Sequence, residues 1–293
     1  MKSLKVIYII AIFTITALIA AIVIGFRFGR CAKFAINNSG AFGDPVTNSV
    51  SADAFKEIEL KADIAAFEIK KGSDYHVEYT FPSNFTVKVK SSDGKLEIEA
   101  KGNEWNGLSF LGNNVKSIKE SYKVTVFVPE GTNLDNFKAD VDAGSICLND
   151  MLIADIDIEG AASNVEMSNI EASETEIKTD AGNIEIKNSS LGKFNVKADA
   201  GNIQLSKTTA LDIVAHTDAG NIELKDATFK TGNFESSMGN VEIEGTFDSV
   251  DAECSLGAIS IDAENDDARI NANVDLGSIE INGKNIKGRS YNQ

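Results

Sequence analysis

Residues suited to catalysis or metal binding are scarce in this sequence. The 293 residues include only two histidines, His76 and His216, and three cysteines. Neither histidine has Cys or His neighbours at the spacing of a metal site. The chain also lacks the Gly-x-Ser-x-Gly elbow of hydrolases, a phosphate-binding Gly-Lys-Ser/Thr loop and a dinucleotide fingerprint. The sequence therefore predicts no catalytic residue and a protein that is not an enzyme.

Positive charge is also scarce. The chain has 28 Lys and Arg against 44 Asp and Glu, a formal net charge of −16. No acidic residue precedes Asp44, so residues 34–293 carry a net charge of −21. A domain with this balance has no basic patch to neutralise phosphates, which argues against nucleic acid as a partner. Anionic lipid headgroups would repel it as well.

One long hydrophobic run lies at the N-terminus. Val6 to Phe26 are 21 consecutive uncharged residues. At about 1.5 Å per residue, this run is long enough to cross a hydrocarbon core of about 30 Å. We therefore expect residues 6–26 to form one transmembrane helix within a membrane anchor at 1–33, followed by a linker at 34–53. Basic residues flank the run on both sides, so the positive-inside rule does not orient it.

A repeat of about 19 residues organises the remainder of the chain. Asp180–Glu185 and Asp218–Glu223 share the sequence Asp-Ala-Gly-Asn-Ile-Glu. The place of the motif glycine is called the corner position below. It recurs at Gly144, Ser163, Gly182, Gly201, Gly220, Gly239, Gly257 and Gly277. A fixed period near 20 residues is typical of a solenoid of stacked coils.

Residues after the corner position alternate in polarity. The residues two and four positions after it are apolar in every coil, and the residue between them is mostly Glu, Gln or Ser. Alternation with a period of two is typical of β-strands. The sequence therefore predicts an all-β, single-chain parallel β-solenoid at residues 136–283. A C-terminal tail is expected at 284–293.

The Asp-Ala-Gly-Asn motif is interpreted as a structural corner. Glycine suits a sharp turn, which we expect to have positive φ. The Asn residues that follow it, stacked about 4.8 Å apart, are expected to form a ladder of hydrogen bonds. The expected corner residues are Gly144, Gly182, Gly201, Gly220, Gly239, Gly257, Gly277, Asn183, Asn202 and Asn221.

Carboxylates also fall in register near the corners. Asp180, Asp199 and Asp218 lie two positions before the corner position in consecutive coils. Because like charges this close repel, these side chains either point into water and cap corner N–H groups or share a bound cation. Calcium is the candidate, since it takes several oxygen ligands, although the chain lacks the calcium-binding GGxGxD nonapeptide. We expect no cofactor, with calcium as the minor alternative.

Residues 54–135 form a less regular region, which is expected to hold the first coil and an N-terminal β cap. Asp63–Ile69 resembles the repeat, with Ala65 in the corner position. A hairpin excursion would then interrupt the first coil and cover the open end of the solenoid. Six strands are predicted here, at Phe55–Leu60, Ala66–Lys70, His76–Phe81, Phe85–Lys90, Lys95–Ala100 and Tyr122–Val128.

The loop at residues 103–112 contains the only tryptophan of the chain. Trp105, Phe110 and Leu111 have two interpretations. They either fold down to plug the end of the solenoid, or they form an exposed anchor for a protein or glycan partner, since aromatic residues dominate such contacts.

Two cysteines lie within the repeat. The alternation predicts that Cys147 points outward and that Cys254 points inward, six coils later. At about 4.8 Å per coil the two are roughly 29 Å apart. They are therefore too far apart to form a disulfide within one chain.

The order of these segments resembles a bacterial envelope family known as putative adhesins, a domain of unknown function that follows membrane anchors. The resemblance rests on the Phe55–Leu60 and Lys123–Gly131 strands and the repeated Gly-Asn-Ile-Glu coils, and it covers about residues 52–283. It implies a β-solenoid displayed outside the cell. The resemblance implies a cellular location more firmly than a biochemical activity, and it identifies no catalytic residue in this sequence.

Three functions are compatible with these features. The first is a non-enzymatic, adhesin-like protein of the bacterial cell membrane, with a single span and an extracytoplasmic solenoid that binds an unknown protein or a cell-wall glycan. The second is a regulatory scaffold for another membrane protein, in the envelope-stress signalling that the resemblance implies. The third is a carbohydrate-active β-helix enzyme, for which only the outward Lys178 and Lys197 offer support.

Overall fold

A computed structural model describes residues 35–36, 44–102, 116–117 and 121–293. The membrane anchor expected at residues 1–33 and the loop residues Trp105, Phe110 and Leu111 lie outside the described residues. No helix in the described part of the chain is long and apolar enough to cross a membrane.

The described residues of the N-terminal region form eight strands. In chain order they are β1 (Ala35–Ile36), β2 (Pro45–Ser51), β3 (Glu57–Gly72), β4 (His76–Pro82), β5 (Phe85–Ser92), β6 (Lys95–Gly102), β7 (Lys116–Ser117) and β8 (Lys123–Pro129). The repeat region follows. Its strands are β9 (Leu134–Gly160), β10 (Ala162–Ala181), β11 (Ile184–Lys187), β12 (Ser190–Ala200), β13 (Ile203–Ser206), β14 (Thr209–Ala219), β15 (Ile222–Met238), β16 (Val241–Ala263), β17 (Arg269–Ile281), β18 (Lys284–Ile286) and β19 (Ser290–Asn292).

The repeat region forms the expected parallel β-solenoid. Each coil pairs in parallel with the coils before and after it, and residues in equivalent repeat positions lie side by side, as Gly144 does with Ser163 and Gly257 with Gly277. The apolar columns two and four positions after the corner position are buried in every coil, as is the column five positions before it. The hydrophobic core therefore runs as a continuous interior along the stacked coils.

The first coil begins in β3, as the sequence predicted. Ala65 pairs with Gly144, which places it in the corner position. The strands expected at Phe55–Leu60 and Ala66–Lys70 are joined into one, because β3 pairs with β9 on both sides of this corner. The other four predicted strands in the region correspond to β4, β5, β6 and β8.

The hairpin excursion covers the open edge of the first coil. β6 and β8 pair in parallel with β3, β5 pairs antiparallel with β6, and β4 pairs antiparallel with β8. Three aromatic rings, Phe81, Phe85 and Tyr122, pack together here with centroids 5.3 to 6.0 Å apart. The edge of the first coil is thus paired with strands of the excursion rather than left open.

Two segments differ from the expectations. β2 lies in the expected linker and pairs antiparallel with β4. Its side chains are almost all exposed, so the backbone ladder holds this strand and no hydrophobic pattern marks it. The expected C-terminal tail contains β18 and β19, which pair antiparallel with β17 and cover part of the last coil.

Glu68 lies where the excursion meets the first coil. Its carboxylate lies 2.7 Å from the Lys123 ammonium and 2.9 Å from the Lys70 ammonium, and it accepts a hydrogen bond of 3.0 Å from the Thr125 hydroxyl. Burial raises the pKa of Glu68, but the hydrogen bonds from Lys123, Lys70 and Thr125 outweigh it and lower the pKa to about 2. The ionised form is therefore stabilised in the folded protein.

The variant Glu68→Gln is expected to lose stability in a pH-dependent way. The folded pKa is lower than the ordinary 4.5, so the ionised carboxylate stabilises the fold above that pH, and its contribution disappears as the pH falls towards about 2. Urea unfolding should show a lower free energy of unfolding than wild type at neutral pH and a much smaller difference near pH 2. Glu130→Gln, in an exposed turn, is the control. A Glu68→Gln deficit that stays constant with pH would contradict the assignment.

Candidate binding surface

Close packing between coils explains the glycines at the corner position. A Cβ at any of the seven would lie 1.5 to 2.0 Å from the backbone carbonyl oxygen of the residue in the corner position of the preceding coil. The expected positive φ is present at Gly144, Gly201, Gly239 and Gly257, with values from 147° to 157°. Gly182, Gly220 and Gly277 are not among the glycines with positive φ. Contact between stacked backbones is therefore the requirement that all seven share.

The expected asparagine ladder is present. The Asn183 side-chain oxygen accepts from the Asn202 backbone N–H at 3.1 Å and from its side-chain amide at 3.3 Å. The Asn202 oxygen accepts in the same way from Asn221, at 3.0 and 3.2 Å. The ladder continues from Asn221 to the N–H of Asn240. Backbone donors exposed by the corner are thus satisfied by the side chain one coil earlier.

Asn202→Ala is expected to lower the free energy of unfolding by about 1 kcal/mol, because the Asn221 backbone N–H and side-chain amide lose their acceptor. Chemical denaturation measures this loss. Asn233→Ala, on an exposed outward position of β15, is the matched control and should change stability by less than about 0.5 kcal/mol. Equal effects of the two substitutions would show that the ladder contributes no specific stability.

A second corner recurs in five consecutive coils and was not predicted from the sequence. Non-glycine residues with φ between 48° and 56° lie 19 residues apart, at Asp150, Asn169, Asn188, Lys207 and Asp226. Asn and Asp tolerate this left-handed conformation better than other non-glycine residues. The enrichment of Asn and Asp six positions after the corner position was the available signal. It is a weak one, because lysine occupies the same position in one coil.

The aspartates considered for calcium lie on the surface. Asp199 is 3.2 Å from the Lys197 ammonium, and Asp218 is 3.0 Å from His216 Nε2. Asp180 is exposed. Within residues 44–102 and 121–293, no group of three or more His, Cys, Asp or Glu could hold a metal ion. Lys178, the other lysine considered for an enzyme, pairs with Glu176 at 2.5 Å.

Cys147 is buried, with 4% of its surface exposed, so the accessibility expected from its outward place in the alternation is wrong. Its short side chain lies in register between Glu68 and Glu166 on the neighbouring strands, which bear longer side chains. Cys254 is buried as expected, and its thiol donates a hydrogen bond of 3.2 Å to the Gly239 carbonyl oxygen. Burial raises the pKa of this thiol.

An apolar ladder lies exposed on the last coils of the solenoid. Met238, Leu256 and Leu276 immediately precede the corner position in three consecutive coils, and they lie in register on neighbouring strands. Their exposed fractions are 41%, 48% and 63%. We call these three residues the exposed ladder. Large apolar side chains clustered on a surface mark sites of interaction more often than isolated ones do.

The exposed ladder departs from the rest of its column. The preceding coils have alanine in this position, and the change to a large side chain comes where Ala219 pairs with Met238. The sequence contained this signal, as a column that is Ala from 143 to 219 and then Met, Leu and Leu.

Negative charge predominates on the strands that carry the exposed ladder. Residues 231–283 contain 12 Asp and Glu, one Arg and no Lys. Glu235, Glu253 and Asp275 lie on the same strands as the ladder residues, and all three are exposed. The surface therefore combines an apolar centre with an acidic border.

A parallel solenoid with structural corners in successive coils defines a β-solenoid repeat protein. The chain belongs to the Toastrack DUF4097 family, whose model matches residues 55–291. No curated protein matches the chain.

Solved bacterial structures resemble it at low identity. A putative adhesin from Bacteroides fragilis has 16% identity and a TM-score of 0.47, covering 81% of this chain and 97% of that one. A putative lipid binding protein from Parabacteroides distasonis has 18% identity and a TM-score of 0.48, covering 83% and 96%. A putative adhesin from Parabacteroides distasonis has 13% identity and a TM-score of 0.47, covering 82% and 97%.

Proposed function

We propose that this protein is a non-enzymatic, adhesin-like binding protein of the bacterial cell envelope. Its acidic solenoid is displayed outside the cytoplasm from one membrane span at residues 6–26. The exposed ladder is the surface that contacts the partner. Membership of the Toastrack family and the 21 uncharged residues of the span support this proposal.

The observation that carries the proposal is the exposed ladder on a regular backbone. The solenoid core is continuous beneath it, and Val241, Ile259 and Ile279, which follow the corners next to the ladder, are buried. The surface is thus held by packed strands and needs little ordering when a partner binds, which favours affinity. The exposed polar residues around it lack an arrangement with a nucleophile, a base and a substrate cleft, so binding is the better supported activity.

Labelling of an introduced cysteine on intact cells tests the display. Thr228 is exposed on β15, so Thr228→Cys should react with a membrane-impermeant maleimide on intact cells. The parent chain gives the background from its own three cysteines, of which Cys147 and Cys254 are buried, and the labelling of Thr228→Cys should exceed it. Labelling that appears only after lysis would contradict the proposal, and it would favour a cytoplasmic scaffold for another membrane protein.

A further inference from the structure

We propose that the exposed ladder binds a cationic amphipathic helix of a polypeptide partner. This inference rests on the proposed function, since it names the partner class of the same surface. The helix lies along the solenoid axis, with its apolar side chains on Met238, Leu256 and Leu276 and its basic side chains on the carboxylates beside them.

The spacing of the ladder fits an α-helix. Ladder residues in neighbouring coils are paired in parallel register, and paired strands lie about 4.8 Å apart. One turn of an α-helix rises about 5.4 Å. An amphipathic helix presents apolar side chains at i, i+3 or i+4, and i+7 on one face. Three consecutive turns therefore place one apolar side chain at each ladder residue, with a mismatch of about half an ångström per turn.

The acidic border of the exposed ladder favours a partner of positive charge. Within positions 231–283 the only Lys or Arg is Arg269, eight positions before the corner position of the last coil, while Lys284, Lys287 and Arg289 lie in the C-terminal segment that pairs with that coil. His216 Nδ1 lies 3.1 Å from the Glu235 carboxylate. Glu235, Glu253 and Asp275 are exposed and precede the ladder residues on the same strands. Glu242 and Glu280 follow the corner position. Lys or Arg on the flanks of a bound helix would meet these carboxylates. Opposite charges around an apolar centre increase the association rate and exclude partners of the wrong sign.

The same border argues against other occupants. A second copy of this acidic surface would bring like charges together, and an anionic bilayer would be repelled. The concave surface lined by Leu152, Leu211 and Lys230 is another apolar candidate in the described residues. This surface contains both Lys230 and Glu171, so its charged residues do not share one sign of charge.

Binding of a defined peptide tests the inference. The full chain is placed in nanodiscs of zwitterionic phosphatidylcholine. The probe is a fluorescein-labelled helical peptide of Leu and Lys, with Leu at i, i+3, i+4 and i+7, and its counterpart has Glu in place of each Lys. Fluorescence anisotropy measures both. The Lys peptide should bind, with an affinity that falls as salt is added, and the Glu peptide should bind at least tenfold more weakly.

Two triple variants locate the site. Met238→Ser, Leu256→Ser and Leu276→Ser together should weaken binding of the Lys peptide at least tenfold. The matched control combines Leu152→Ser, Leu211→Ser and Val214→Ser, whose parent residues are 37%, 44% and 47% exposed, and it should leave binding within twofold of wild type. Thermal melting of each variant confirms that it remains folded.

Three results would overturn the inference. The first is that the ladder variant still binds the Lys peptide as wild type does. The second is that only the control variant loses binding. The third is that the Lys and Glu peptides bind equally well. Failure here is distinguishable from failure of the proposed function. Labelling of Thr228→Cys on intact cells reports display regardless of the peptide, and peptide binding by the purified chain does not depend on where the cell places it.

Discussion

Gly220→Ala is expected to destabilise the solenoid by about 4 kcal/mol or more, enough to leave much of the chain unfolded. A Cβ at residue 220 would lie 1.8 Å from the Gly201 carbonyl oxygen and 2.6 Å from its carbonyl carbon. Both atoms belong to the backbone of the adjacent coil, so no side chain can move aside. Relief would require two coils in the middle of the stack to separate, breaking the parallel ladder on either side.

Gly94→Ala is the matched control for this prediction. Gly94 has φ of 78° and no atom within 4 Å of an added Cβ, so alanine there costs only backbone strain, about 1 to 2 kcal/mol. Gly220 is not among the residues with positive φ, so its cost is steric. Circular dichroism during urea unfolding compares the two variants. A Gly220→Ala loss no larger than that of Gly94→Ala would contradict the close packing of the corners.

Phe234→Ala should lower the free energy of unfolding by about 3 to 5 kcal/mol. The Phe234 side chain is fully buried, and its ring packs against Phe229 with centroids 5.9 Å apart. Phe229 in turn stacks on Phe247 at 5.2 Å. Removal of the ring leaves a cavity beneath the coils that bear the exposed ladder. Chemical denaturation measures the loss, with the exposed Val214→Ala as control.

A compensating substitution tests the cause of that loss. Neighbouring coils have a large residue seven positions before the corner position and alanine five before it, as in Ile213 and Ala215. The coil of Phe234 has the reverse, because a Cβ at Gly232 would lie 2.4 Å from the Phe234 ring. The double variant Gly232→Ile with Phe234→Ala should therefore recover a large part of the stability lost. If the double variant recovered no stability, the exchange of a large and a small side chain between positions 232 and 234 would not explain how this part of the core packs.

The sequence predicted the interior of the solenoid well, because burial imposes the same demand in every coil. The columns of Ile146 and Leu148 are apolar in every coil because both are buried. The Asn183 ladder is polar because each side-chain oxygen accepts a hydrogen bond from the backbone N–H of the next coil. β2 was missed because an exposed edge strand is held by backbone pairing alone. The second corner was missed because its Asn and Asp signal is interrupted by Lys207 and is absent from the last coils.

The candidate surface was less predictable than the fold. The exposed ladder occurs in only three coils, so a search for residues common to all coils passes over it. Cys147 occupies an outward position in the alternation, yet its neighbours Glu68 and Glu166 have longer side chains and it is buried. Sequence alternation gives the direction of a side chain, whereas exposure also depends on the adjacent strands.

Protection of the exposed ladder in living cells tests the central claim most directly. Ser255 is exposed beside Leu256, so Ser255→Cys reports on the ladder without removing any of its side chains. Thr228→Cys reports on a distant exposed position. The labelling rate of each with an impermeant maleimide is measured on intact cells and on the purified chain. We expect Thr228→Cys to react at similar rates in both, and Ser255→Cys to react several-fold more slowly on cells. If the labelling rate on cells divided by the rate on the purified chain were the same at both positions, a partner bound at the exposed ladder would be contradicted.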